Sequence, residues 1–168
     1  MLISIEDVVR EIAKDLPRFP DGRIDYTHAK RALVINSVVV YGEEILILKR
    51  SEKLTYYPGL WSGISGFIDE IKPIEDIVKK ELTEELGISI DIIQQIRMGE
   101  VIELPSSKHD RVWMVYPILV ELNQKPAIKL DWEHSAYAWI KPGELKGYEI
   151  LSGFDKVVTQ ALQLREKQ

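Results

Sequence analysis

The chain contains no cysteine. Disulfides, thiolate metal sites and cysteine nucleophiles are thereby excluded, and the absence suits a reducing cytoplasm or, equally, a thermophile. Positive charge is not in excess either: 22 Lys and Arg stand against 27 Asp and Glu, for a net charge of −5. Such a surface has no general attraction for nucleic acid or anionic membrane, so a polyphosphate ligand requires local cations. Long apolar runs are missing as well. Nothing approaches the roughly 20 apolar residues of a membrane span, and the charged N-terminal stretch MLISIEDVVREIAKDL lacks the apolar region of a signal peptide. Repeats, low-complexity tracts and an interdomain linker are also absent. What remains is the expectation of one cytoplasmic domain, and 168 residues with 45% hydrophobic content suffice for a substantial core.

Ser4 followed by Asp7, with Ile5, Val8, Val9 and Ile12 at helical spacing, predicts a short amphipathic helix to about Asp15, stopped by Pro17 and Pro20. Two β-rich runs, Ala32–Val40 and Ile45–Leu48, flank Tyr41-Gly42-Glu43 and predict a hairpin. Tyr57-Pro58-Gly59-Leu60-Trp61 reads as a rigid turn, with Gly63 and Gly66 free to take unusual backbone angles after it. The strongest helix runs from Ile74 to Leu86. Ile74, Ile77, Val78 and Leu82 fall on one stripe, Pro73 suits the first turn and Gly87 the C-cap. Strands are expected near Ile96–Glu103, Val112–Leu122 and Ala136–Ile140, with loops at Pro105–Asp110 and Asn123–His134. A last helix opens at Ser152 or Gly153 and buries Phe154, Val157, Val158, Ala161 and Leu162. The order implies a single-domain α/β sandwich around a mixed β-sheet.

Within the strongest helix, Glu81, Glu84 and Glu85 crowd one turn. Like charges at such spacing cost roughly 0.2–0.5 kcal/mol per pair. A hard divalent cation turns that cost into a gain, because Mg²⁺ takes carboxylate oxygens as ligands. The competing reading is a solvated surface helix, in which Asp76–Lys80 and Lys80–Glu84 pair at four-residue spacing.

The stretch GFIDEIKPIEDIVKKELTEELGI, Gly66 to Ile88, resembles the Nudix box. That box reads glycine, five residues, Glu, seven residues, Arg-Glu, an aliphatic, any residue, Glu-Glu, any residue, glycine, an aliphatic. Gly66, Glu81, Leu82, Glu84, Glu85, Gly87 and Ile88 match in register. Lys72 stands where the family has its first Glu, and Lys80 replaces the Arg, keeping charge but losing the planar fork. Asp69 or Glu70 is the available partner for Lys80. The Pro-Gly turn before the box and Glu133, a few positions before Trp139, extend the resemblance over roughly Ala32 to Leu162. It implies a Nudix α/β/α sandwich at residues 31–168 and leaves unexplained the first thirty residues, read above as an N-terminal helical extension at 1–30. That extension packs on the sheet, covers the site or mediates a dimer.

By the same resemblance the metal ligands are Gly66, Glu81, Glu84 and Glu85, holding Mg²⁺ or Mn²⁺, and Glu84 or Glu133 is the general base. The activity implied is hydrolysis of the diphosphate linkage in a small nucleotide such as ADP-ribose, a nucleoside triphosphate or a dinucleoside polyphosphate. Alternatives are a non-catalytic nucleotide-binding module, kept open by Lys72, and an isopentenyl-diphosphate isomerase, ranked last because that chemistry uses a cysteine. No nucleic acid or membrane partner is expected, and a homodimer is suggested only by analogy with relatives that dimerise. For the substrate, Arg50 and Arg111 are candidate phosphate contacts, and Trp61, with Tyr57 and Trp113, a candidate base-stacking residue. Surface charge and core or rim packing are their ordinary alternatives. Trp132 and Trp139 are assigned to packing. Pro105 lies near where ADP-ribose-hydrolysing relatives tend to carry a proline. His28, His109 and His134 show no metal-ligand spacing.

Overall fold

The computed structural model describes residues 4–166, so the first three and last two positions of the expected spans lie outside it. Along the chain come α1 (Ile5–Ala13), β1 (Arg31–Tyr41), β2 (Glu44–Arg50), β3 (Trp61–Ser62), β4 (Ile64–Phe67), α2 (Ile74–Leu86), β5 (Ile93–Met98), β6 (Ile102–Ser106), β7 (Arg111–Leu122), β8 (His134–Ile140) and α3 (Phe154–Glu166). The sequence RALVINSVVVY gives β1 a run of β-branched residues, and nearly all of its interior is buried on both faces. A strand buried on both faces needs cover on both. Helices supply it, making an α/β/α sandwich in which α3 packs on β7, β1 and β5.

The sheet is mixed. β1 runs parallel to β7 over its whole length, Arg31 opposite Val112 through Val40 opposite Glu121. On its other edge β1 is shared. Its C-terminal half pairs with β2, Val39 opposite Leu46, through a turn whose Gly42 has φ 60°. Its N-terminal half pairs with β4, Val34 opposite Phe67 and Ile35 opposite Gly66. β1 and β2 therefore part like a fork, and β3 lies against β2 on the parting side, Ser62 opposite Leu48. At the fork Asn36 donates Nδ2 to Ser62 Oγ at 2.9 Å. A Cβ on Gly63 would run into the Ser37 carbonyl and Asn36 Oδ1. Gly63 and Gly66 are needed for close approach, not for unusual angles, since neither has positive φ.

Three other expectations are corrected. The strand near Ile96–Glu103 is two strands, β5 and β6, both on β7; the break falls opposite Pro117, which has no N–H to give the ladder. Pro105 and Ser106 belong to β6, so the loop shrinks to residues 107–110. Trp132 is 62% exposed and packs no core.

Among the described residues of the N-terminal extension, 5–13 alone form an α-helix. Ser4 Oγ caps that helix by accepting from the Asp7 N–H at 3.2 Å. Val9, Ala13, Ile24, Tyr26 and Ala29 share the domain's hydrophobic core, so the extension packs on the sheet assembly. Its return segment holds the loop after β4: the Ile24 N–H donates to Asp69 O at 2.8 Å and Tyr26 OH to Ile68 O at 2.7 Å. The Tyr26 ring stacks on Phe67 with centroids 5.4 Å apart.

Candidate active site

α2 presents the acidic turn along the edge of its buried stripe, since Ile77, Glu81 and Glu85 are four apart and share a face. Val78, Leu82 and Leu86 are buried beside that face, and Ile77, Glu81, Glu84 and Glu85 line the cavity at the parted end of the sheet. The helix stops at Gly87, φ 67°, whose N–H returns to Thr83 O while the Ile88 N–H returns to Leu82 O. Two further carbonyls at this end are taken by a distant segment. The Lys129 N–H donates to Leu86 O at 2.9 Å and the Asp131 N–H to Glu85 O at 3.1 Å. Those bonds pin residues 129–131 to the helix terminus and deliver Glu133 beside Glu85. The Ser51 N–H then holds the Glu133 carbonyl at 2.8 Å.

Gly66 lies on β4 directly against Glu81; a Cβ there would collide with Glu81 Oε1. Gly66→Ala is therefore expected to displace that carboxylate and weaken divalent-cation binding about 10- to 100-fold, with little change in the metal-free fold. Metal titration calorimetry on the variant checks this.

The carboxylates sit where charge is costly. Glu81 is pushed up to about 8, first by burial and then by Glu133, Asp69 and Glu84. Glu85, 8% exposed, is raised further by burial, Glu81 and Glu133. Burial also raises Glu133. Behind them His134 is held neutral, its pKa lowered to about 4 chiefly by burial, with Nδ1 3.9 Å from Glu85 Oε1. Glu81 Oε2 and Glu85 Oε1 are buried without a hydrogen-bond partner. Partnerless buried carboxylate oxygens facing a glycine cradle fit a hard cation better than any side chain present. Among the described residues no three such side chains already surround one point.

These groups floor a cavity of about 730 Å³. Tyr56, Phe67, Leu104, Trp113 and Val115 form its apolar wall. Arg50 lines it too, but much of the guanidinium is committed: Nη2 donates to Tyr56 O at 2.8 Å, and Nε to Tyr56 O and Tyr57 O. This clamp holds Tyr57 at φ 51°. Tyr57 OH in turn accepts from Trp113 Nε1 at 2.8 Å.

Two expected substrate contacts are not on the cavity wall. Trp61 packs edge-on against Tyr148, centroids 5.0 Å apart. Arg111 is buried behind the wall, with Nη2 donating to Thr27 O at 2.7 Å and its guanidinium over the Tyr56 and Trp113 rings. Its positive charge braces the aromatic wall. Lys80 pairs with Glu70 at 3.9 Å, not with Asp76 or Glu84, and Lys72 reaches the same Glu70 at 3.4 Å. Glu70 thus anchors both lysines that depart from the box pattern. Arg23 and Tyr56 line the cavity without any local sequence signal having marked them, and Asp69, named above only as a partner for Lys80, lines it too.

Comparison with known proteins identifies the family and the fold. A model of the NUDIX domain matches residues 31–162. The nucleoside triphosphatase NudI of Klebsiella pneumoniae (strain 342) is 25% identical over 111 residues, spanning 62% of this chain and 78% of the relative. Among solved structures, a MutT NUDIX hydrolase from Burkholderia pseudomallei superposes with a TM-score of 0.63 at 19% identity, covering 77% of this chain and 97% of its own. The NUDIX domain of Shewanella oneidensis NrtR, complexed with ADP ribose, gives 0.63 at 17% identity, covering 82% and 88%. At these identities the structural likenesses speak for the fold alone. The match over most of the chain, together with the box in register on α2, places this protein in the NUDIX family of hydrolases.

Proposed function

We propose that the protein is a Mg²⁺- or Mn²⁺-dependent pyrophosphohydrolase that cleaves the diphosphate linkage of a nucleoside diphosphate derivative. The substrate class spans ADP-ribose, nucleoside triphosphates and dinucleoside polyphosphates. The observation that carries this reading is the pair of buried, partnerless oxygens on Glu81 and Glu85 in the floor of a nucleotide-sized cavity. Glu81, Glu84 and Glu85, with the Gly66 carbonyl, are the proposed ligands. A divalent ion there supplies Lewis acidity toward phosphate oxygens and water and neutralises developing charge.

The chain's own residues do the rest. Glu133, tethered beside Glu85, takes a proton from the attacking water through its carboxylate, and burial makes that carboxylate a stronger base than an exposed one. Glu84, exposed one turn away, is the second candidate for this step. Tyr56 and Trp113 offer aromatic faces to a base, and the Arg50 clamp keeps that wall in place. The name of the NudI relative supports a nucleotide substrate. Pairing of Lys72 with Glu70 supports a working site over a non-catalytic module, because the loop keeps an ionic anchor despite the changed residue.

A screen of nucleoside triphosphates, nucleoside diphosphate sugars and dinucleoside polyphosphates tests the proposal. Phosphorylated products are expected with Mg²⁺ or Mn²⁺ and none in EDTA. Tight nucleotide binding without turnover would transfer the protein to the sensor class.

A further inference from the structure

The cavity has a third kind of wall. Arg23, Lys72 and Lys80 all line it, beside the carboxylate floor. Arg23 comes from the N-terminal segment, outside residues 31–162. It is carried to the rim by a tight return: Arg18 bridges Ile24, Gly22 turns at φ 91°, and the Ile24 N–H is fastened to Asp69 O. Arg23 Nε donates to Asp21 at 2.7 Å and Nη1 reaches Asp69 Oδ2 at 3.4 Å. Next along the loop, Glu70 alone serves both Lys72 and Lys80. The three cations Arg23, Lys72 and Lys80 thus share the three carboxylates Asp21, Asp69 and Glu70.

Arg23 and Lys80 hold their partners loosely, whereas Lys72, 28% exposed, is more enclosed against Glu70. The Arg23 and Lys80 side chains are 48% and 53% exposed, and ion pairs of that kind contribute little and exchange readily for a ligand. In a chain of net charge −5, with six carboxylates lining this cavity, Arg23, Lys72 and Lys80 are the cations that a polyanion there would engage.

We infer that Arg23, with Lys72 and Lys80, forms an anion subsite that selects substrates bearing a negatively charged group beyond the diphosphate being cleaved. The inference deepens the proposed hydrolase function and rests on it for the substrate's identity. A nucleoside triphosphate or a phosphate-bearing diphosphate engages the rim. A nucleoside diphosphate joined to a neutral sugar does not. The guanidinium fork of Arg23 suits a phosphate better than the lysines do, which makes Arg23 the specificity-determining member.

The test compares Arg23→Gln and Arg23→Gln/Lys72→Gln with the parent full-length chain, using Arg10→Gln on α1 as a charge-matched control. For a nucleoside triphosphate, Arg23→Gln is expected to raise KM about tenfold at constant kcat, the effect of one lost charge-assisted contact. For a nucleoside diphosphate with a neutral sugar, KM should change by less than about twofold. Arg23→Lys recovers part of the loss. Independently of turnover, titration with inorganic tripolyphosphate should show the double variant binding at least about tenfold more weakly than parent and control. Equal KM effects on both substrates, or unchanged tripolyphosphate affinity, overturn the subsite. If no nucleotide is hydrolysed, the hydrolase reading falls, and the tripolyphosphate titration still decides the subsite.

Discussion

Replacing Glu81 and Glu85 together by glutamine is expected to lower turnover by at least about 10³-fold while making the metal-free protein more stable. The two effects have one cause. Both carboxylates are buried, repel Glu133 and each other, and present an oxygen without a partner. Glutamine keeps the shape, removes the charge and adds donors, so the fold loses a conflict as the site loses its ligands. In EDTA at pH 8 the gain should be on the order of 5–10 °C in melting temperature. At pH 5, where the parent carboxyls are protonated, the gain should vanish. Calorimetric melts at the two pH values and a steady-state assay check this. A double variant that still turns over, or melts lower than the parent at pH 8, would remove the acidic turn from the centre of the mechanism.

The second large effect is on how stability depends on pH and metal. Glu81 has a folded-state pKa of about 8 against an ordinary 4.5. The folded protein therefore holds this proton more tightly than the unfolded chain does, and the associated stability is lost as pH rises through 8. For Glu81 alone the shift corresponds to roughly 5 kcal/mol at most. Glu133, Asp69 and Glu84 face the group and reinforce the loss, and Lys80 opposes it. His134 acts with the opposite sign at lower pH. Its folded-state pKa of about 4 lies below the ordinary 6.5, so its contribution is complete above 6.5 and disappears as pH falls toward 4. Metal-free stability should accordingly peak near pH 5–6 and decline toward pH 9. Saturating Mg²⁺ should flatten the alkaline limb, because the ion binds the ionised carboxylates that otherwise repel. Denaturant titrations from pH 4.5 to 9, with Mg²⁺ and with EDTA, measure both curves. A metal-free profile that stays level to pH 9, or an alkaline limb indifferent to Mg²⁺, would contradict the electrostatics described for this site.

Much of the fold was legible because its signals are local. The stripe Ile74, Ile77, Val78 and Leu82 with Gly87 behind it defines a helix, and observed α2 starts and stops at the expected residues. The β-branched run after residue 31 and the Gly42 turn define the first hairpin in the same way. The box gave the spacing of Gly66, Glu81, Glu84 and Glu85, because a helix converts fixed spacing into fixed geometry. β3 and β4 were not legible. Their strand character comes from lodging in the fork between β1 and β2, and two to four residues rich in glycine and serine carry no pattern of their own. The split into β5 and β6 was hidden for a similar reason, since its cause is Pro117 on a neighbouring strand.

The amino-acid sequence by itself determined a NUDIX-type domain with a clustered acidic turn, since helix period, capping and a gapless motif are properties of neighbours along the chain. Tertiary structure decided the surroundings of that turn. It brought Glu133 to Glu85 by hydrogen bonds from residues 129–131 to the end of α2, set Arg23 on the cavity rim, moved Arg111 and Trp61 off its wall, and gave Lys72 and Lys80 one shared carboxylate. Each of these joins residues far apart in the chain or depends on which way a side chain is buried. Neither quantity leaves a trace in local spacing, because it is set by the packing of the whole sheet against its helices.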